Sequence, residues 1–226
     1  MRAYMESGFY IVYFVLIVSA GIFVCCKQKN NRAFLLFGLA CILLGLGDAF
    51  HLVPRAVGLF SKSLDNPDKN LAMWLGIGKL ITSITMTVFY VLLYYFIYKR
   101  YDVKRNKILD CLVWFLTATR VVLCALPQNN WLTNSSPLIW GIARNIPFVV
   151  LGVLVIVLAF MYLRHKKHFQ LLWLAIALSF GFYIPVVVWA STASWVGMLM
   201  IPKTICYLWI GLMGFLESKY KCSVKK

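Results

Sequence analysis

Seven times along this chain the residues stay predominantly apolar for about twenty positions or more, the length a helix needs to cross a hydrocarbon core about 30 Å thick. The runs cover approximately 8–26, 33–58, 71–98, 108–127, 137–163, 169–191 and 196–216. No other feature constrains the fold so tightly. A backbone in lipid must satisfy its own hydrogen bonds, and only helices and closed barrels do so. Composition agrees: 62% of the 226 residues are hydrophobic and 13% are charged, with a mean hydropathy of +0.80. The sequence predicts an all-α polytopic membrane protein, a single seven-helix transmembrane domain over 1–226 with no room for a second globular domain.

The net charge of +16 invites a nucleic-acid reading, which the placement of the charges rejects. Lys27, Lys29 and Arg32 follow the first run. Lys99, Arg100, Lys104, Arg105 and Lys107 follow the third. Arg164, Lys166 and Lys167 follow the fifth, and Lys219, Lys221, Lys225 and Lys226 follow the seventh. The alternate connections, 61–70, 128–137 and 191–194, are neutral or charge-balanced. Positive loops stay cytoplasmic. The N-terminus is therefore expected outside and the C-terminus cytoplasmic. The first run lacks a small-residue cleavage motif before its basic flank and reads as a retained span. The seven cysteines show no zinc or redox spacing and read as free thiols.

Weak internal likeness is visible. Arg32-Ala-Phe-Leu-Leu opens the second span and Lys167-His-Phe-Gln-Leu-Leu opens the sixth. Spans three and seven each carry one lysine near the outer end, Lys79 and Lys203. The pattern hints at a 3+1+3 parallel repeat with the fourth span as linker. In topology and length such a plan resembles the seven-helix sugar-porter (SWEET-like) and opsin architectures. The likeness carries no function across. The Pro127-Gln128 pair stands at the wrong place for the former. A retinal pigment is disfavoured because spans three and seven offer no acid as counter-ion and the cations would oppose a protonated Schiff base.

Five cations lie inside the spans, on five different helices and at one depth: Arg55, Lys79, Arg120, Arg144 and Lys203. Lys79 stands about eight residues, roughly 12 Å, below the outer end of its span. Charge in hydrocarbon is costly and marks sites. A lone cation near a helix end snorkels to the headgroups, but outer-end cations run against the positive-inside bias, and no comparable cation lies deep in the inner half. On the second span Asp48, His51 and Arg55 are spaced i, i+3, i+7 and share a face. Asp48 is expected to reach His51, and His51 to bond or stack on Arg55. The bland alternative is an internal Asp–Arg pair that locks two helices. Glu6, Asp65 and Asp68 read as ordinary loop acids. Trp140, Tyr183, Trp189, Thr204 and Tyr207 stand at a similar level and can line a pocket. Pro54, Pro147, Pro185 and Pro202 are expected to interrupt four spans, exposing backbone groups and supplying hinges.

The expected function is an outward-facing basic pocket for a small anion or an anionic lipid headgroup, in a transporter or sensor. Its ligand-binding residues would be Asp48, His51, Arg55, Lys79, Arg120, Arg144 and Lys203, with His51 able to titrate in the physiological range. The alternative is an enzyme acting on a lipid or lipid-linked phosphate with Asp48 and His51 as acid–base pair. No further histidine or carboxylate stands near them in the spans, and a metal site needs about three ligands. No cofactor and no metal are expected. The expected partners are the lipid bilayer and an anionic small molecule or lipid, with no nucleic acid. A homo-oligomer or a subunit role in a larger membrane complex fits the short C-terminal tail. Size and plain architecture suggest a bacterial plasma membrane.

Overall fold

The computed structural model describes residues 2–64, 66–101, 103–189 and 194–223. Among these residues the chain is all helical: α1 Arg2–Lys27, α2 Arg32–Phe60, α3 Lys69–Tyr101, α4 Lys107–Ala125, α5 Leu138–Leu163, α6 Leu172–Trp189 and α7 Met200–Ser223. Two 3-10 turns, Pro127–Asn129 and Trp131–Thr133, join α4 to α5, and a 3-10 segment, Ser194–Leu199, leads into α7. Seven helices are long and apolar enough to cross a membrane.

The helix starts are written locally. Asn31 and Asn106 accept the backbone N–H two residues on, at 3.1 and 2.9 Å, and Asp68 accepts that of Leu71 at 3.0 Å. Each satisfies a first-turn donor that no helical carbonyl can reach. Four expectations need correction. The first helix starts at Arg2, six residues before the apolar run at 8, because Glu6 finds partners inside the bundle. Pro202 interrupts no helix; it sits in the first turn of α7, where its missing N–H would be unpaired anyway. The sixth helix begins at Leu172 rather than 169, after a run of turns. The α-helical part of the last span begins at Met200 rather than 196. Pro54, Pro147 and Pro185 do not interrupt theirs either: α2, α5 and α6 run unbroken through them.

The helices form a sequential ring in which each packs on the next and α7 returns to α1; α3 also touches α5, and α2 touches α7. Helices adjacent in sequence run antiparallel, as the order of contacts between α5 and α6 shows: Phe148 meets Phe180 and Tyr183, while Phe160 meets Trp173. The closing pair, α1 and α7, runs parallel, with Phe23 on Phe215 and Gln28 on Ser218. Lipid gives helices no hydrophobic reason to associate, so close approach through small residues matters. Gly21 stands against the Gly38 carbonyl between α1 and α2, and Gly47 against Thr85 between α2 and α3. The interior is filled by α3, whose Phe89, Tyr90, Tyr94, Phe96 and Ile97 are fully buried. Aromatic rings interlock around it: Phe37, Phe96 and Phe169 at one level, and Tyr90, Phe148 and Phe180 at another. Edge-to-face and tilted pairs of this kind contribute about 0.5–1.5 kcal/mol each.

This packing gathers the basic loops at one end of the bundle. Arg100 pairs with Glu217, Lys166 lies over Tyr101, Lys167 lies over Tyr220, and Gln28 donates to the Ser218 carbonyl. The intramembrane cations lie toward the other end.

Candidate functional site

The core stops short of that other end and leaves a cavity of about 440 Å³. Arg55, Lys79, Arg120, Arg144 and Lys203 all line it, and so does His51. Met86 and Phe148 belong to its apolar lining, and Asn134, Ser136, Pro137 and Gly197 bring the neighbouring connections to it. Of the seven residues expected to bind a ligand, Asp48 alone is not on the wall. It is buried, and its carboxylate accepts the Tyr13 hydroxyl at 2.7 Å. From there it interacts electrostatically with the Lys203 ammonium.

The five cations are held in different ways. Arg120 is 2% exposed. Its Nη1 donates to the Arg144 carbonyl and to Asn145 Oδ1, both at 3.0 Å, and its plane lies 3.9 Å from the centre of the Phe148 ring. It does not snorkel. Pro147 in the same stretch of α5 leaves the neighbouring Ala143 carbonyl without its helical donor. Arg144 donates through Nη1 to Asn129 Oδ1 at 2.6 Å and to Ser136 Oγ at 2.8 Å, and its guanidinium lies over Trp131. Arg55 donates to the Tyr10 hydroxyl at 2.9 Å and to Glu6 at 3.4 Å.

The two lysines are more loosely engaged. Lys79 donates to Asn134 Oδ1 at 2.7 Å and otherwise faces the cavity, with Arg144 and Arg55 as like-charged neighbours. Lys203 is 4% exposed. It rests over the rings of Tyr183 and Tyr207, at 4.6 and 5.3 Å from their centres, and makes no hydrogen bond among the described residues. Ring faces attract a cation but leave its three donors unspent. His51 lies electrostatically among Lys79, Arg55 and Lys203, and its Nδ1 has no partner among the described residues.

Two couplings expected from spacing along α2 are absent: Asp48 does not bond His51, and His51 does not bond Arg55. Nor is Asp48 the acid that pairs with Arg55. Helix geometry puts the three on one face, but Tyr13 from α1 takes the Asp48 carboxylate first. Arg55 instead finds Glu6, which is no loop acid but lies within α1. Glu6 is buried and also accepts the Tyr10 hydroxyl at 3.0 Å. Its i, i+4 spacing to Tyr10 on one helical turn was a usable signal. The Phe50 carbonyl released by Pro54 abuts Gly78 of α3. Of the aromatics expected at this level, Tyr183 lines the cavity, Tyr207 supports Lys203, and Trp189 is 54% exposed.

The connection after α4 was also missed as part of the site. Asn129 Nδ2 donates to the carbonyls of Leu123 and Leu126 at 2.7 and 2.9 Å, and Trp131 Nε1 donates to that of Cys124 at 2.8 Å. These donors fill the end of α4, whose last carbonyls have no helical partner. Asn130 and Asn134 adopt positive φ, of 50° and 54°, which asparagine tolerates better than most residues. The folded connection brings Asn129, Trp131, Asn134 and Ser136 to the arginine and lysine heads.

The charge balance follows. Among the described residues of the helices at this end, Glu6 and Asp48 are the acids; Asp68 is exposed and caps α3. Two carboxylates against five cations leave three positive charges to be met by neutral acceptors, water or an anion. No group of three or more histidine, cysteine or acidic side chains suited to a metal occurs among the described residues. Compared with known proteins, the chain matches no protein-family model, no curated protein and no solved structure, so the cavity is read from its own residues.

Proposed function

We propose that this is an integral membrane protein whose basic cavity opens to the outer side and binds a small anion or an anionic lipid headgroup, as a transporter or sensor. The observation that carries the reading is the convergence of cations from α2, α3, α4, α5 and α7 on one cavity, with a buried lysine there that has no hydrogen-bond acceptor among the described residues. An arrangement needed for packing alone would satisfy Lys203 as it satisfies Arg120. The orientation rests on the basic loops, which keep their end of the bundle in the cytoplasm. Prolines inside α2, α5 and α6, three of the helices around the cavity, favour transport, since each removes a helical hydrogen bond and eases bending there. The acid–base alternative lacks its dyad, because Tyr13 rather than His51 holds Asp48.

The test is thermal unfolding of the purified protein in detergent against phosphate, sulfate, dicarboxylates and anionic lipids. An anion at about 100 times its Kd stabilises the folded state by about 2.7 kcal/mol. The expected result is a concentration-dependent rise in Tm that is lost in Lys79→Gln and Lys203→Gln. Absence of a shift with every anion, with unchanged melting in both variants, would overturn the reading.

A further inference from the structure

The cavity is cationic on most sides but not on all. Helix α6 brings Tyr183, Val186 and Val187 to it, and Leu172–Trp189 contains no charged residue. Met200 at the start of α7 continues this apolar side. A bare inorganic anion would use the charges and leave the valines against water. The volume also exceeds the need of such an ion. About 440 Å³ is the room of about fifteen waters at about 30 Å³ each, within the range that holds whole organic ligands.

The free donors describe the head that fits. Arginine recognises a planar carboxylate best through two parallel N–H bonds, but on Arg55 and Arg120 the protein's own acceptors occupy those edges. Arg55 has spent Nε and Nη2, Arg120 has spent Nε and Nη1, and Arg144, which lies over the Trp131 ring, has spent Nη1. What remains is the two ammonium groups, on Lys79 and Lys203, with the His51 ring among them and Arg55, and one edge of Arg144. The ammoniums and the His51 ring come from α2, α3 and α7 and approach from three directions. Ammoniums act as point charges well matched to phosphate, and a tetrahedral head offers three terminal oxygens to three helices. Charge points the same way. Three uncompensated positive charges are better met by a dianion than by a carboxylate, and a phosphate monoester carries nearly two negative charges at pH 7.

Resting on the anion-binding reading above, we infer that the ligand is an amphiphilic phosphate monoester. Its phosphate sits among His51, Lys79 and Lys203, and its apolar body lies against Val186, Val187 and Met200. The same chemistry comes from a soluble alkyl phosphate or from a bilayer lipid with a monoester head.

The experiment uses the full chain in phosphatidylcholine nanodiscs and measures binding of hexyl phosphate, inorganic phosphate and hexanoate by calorimetry. Hexyl phosphate is expected to bind at least tenfold more tightly than either of the others. Val187→Asn should remove the advantage of hexyl phosphate over inorganic phosphate and leave the latter unchanged, whereas Lys203→Gln should weaken both at least tenfold. If Val187→Asn does not fold, the wild-type ranking decides alone. Equal binding of inorganic and hexyl phosphate overturns the apolar contact, and equal binding of hexanoate overturns the dianionic head; in both cases the anion site itself stands. No binding of any of the three sinks the anion site and this inference together. Phosphatidic acid added to the nanodisc separates the sources: competition with hexyl phosphate shows a head that arrives from the bilayer, and its absence shows a soluble ester.

Discussion

Arg120 and Lys203 are both buried cations, yet their surroundings give them opposite consequences. Arg120 shares Asn145 Oδ1 with the Tyr183 hydroxyl, at 3.0 and 2.8 Å. Asn145 itself is anchored by Nδ2 to the Gly141 carbonyl at 2.7 Å. Removing that one acceptor strips partners from a buried charge and a hydroxyl at once. Asn145→Ala is therefore expected to cost about 2–3 kcal/mol, read as a fall in Tm of the ligand-free protein. Lys79 gives the contrary sign. It stands among like charges with a single hydrogen bond, so Lys79→Gln should relieve repulsion. The ligand-free Tm should hold or rise by up to about 2 °C, a small gain because Lys79 is exposed and water screens the repulsion. A fall in Tm for Lys79→Gln would show that the lysine holds the fold together rather than waiting for an anion.

At the scale of elements, the site depends on how closely helices and the folded connection approach. Gly76 of α3 lies against the Trp131 carbonyl, where an added methyl would overlap backbone. Backbone yields less readily than a side-chain tip, so Gly76→Ala should cost about 1–3 kcal/mol and disturb the Trp131 ring beneath Arg144. Gly181 of α6 has open space at the same position. Gly181→Ala should leave Tm unchanged or raise it, since alanine favours helix by up to about 1 kcal/mol. Urea unfolding of both variants checks the pair; equal effects would refute the close approach. The connection from Pro127 to Asn134 is thus a folded cap on α4 that also carries ligands for Arg144 and Lys79.

For the whole molecule, charge is segregated between two ends. One end collects the basic loops, with Arg100 on Glu217 and Lys167 on Tyr220; the other holds the cationic cavity. The ring of seven helices leaves apolar side chains such as Ile11, Val122, Val153 and Ile205 exposed around its outside, as a lipid-facing surface requires. The proposed orientation has a direct check. In intact cells a membrane-impermeant maleimide should label Ser135→Cys and spare Lys167→Cys, with the wild type as blank. The reverse pattern would place the cavity on the cytoplasmic side.

Length and apolarity by themselves determined that the chain forms seven long helices. Hydrocarbon permits few alternatives, and about twenty apolar residues in a row have little else to do. The depth of Arg55, Lys79, Arg120, Arg144 and Lys203 was legible for the same reason, because position along a span is position across the membrane. Rotation and pairing were not legible. Whether Asp48 meets Arg55, His51 or Tyr13 depends on which neighbouring helix faces it, and a helix-face argument describes only one helix. Glu6 looked like a loop acid because its partners, Tyr10 and Arg55, come together only when α1 packs beside α2. Asn129 and Trp131 gave no signal at all, since capping the end of α4 and reaching Arg144 require a fold in the connection that composition does not encode. The sequence determined which charges enter the membrane; the tertiary structure decided which of them the protein answers with hydrogen bonds, and gave Lys203 only ring faces and the field of Asp48.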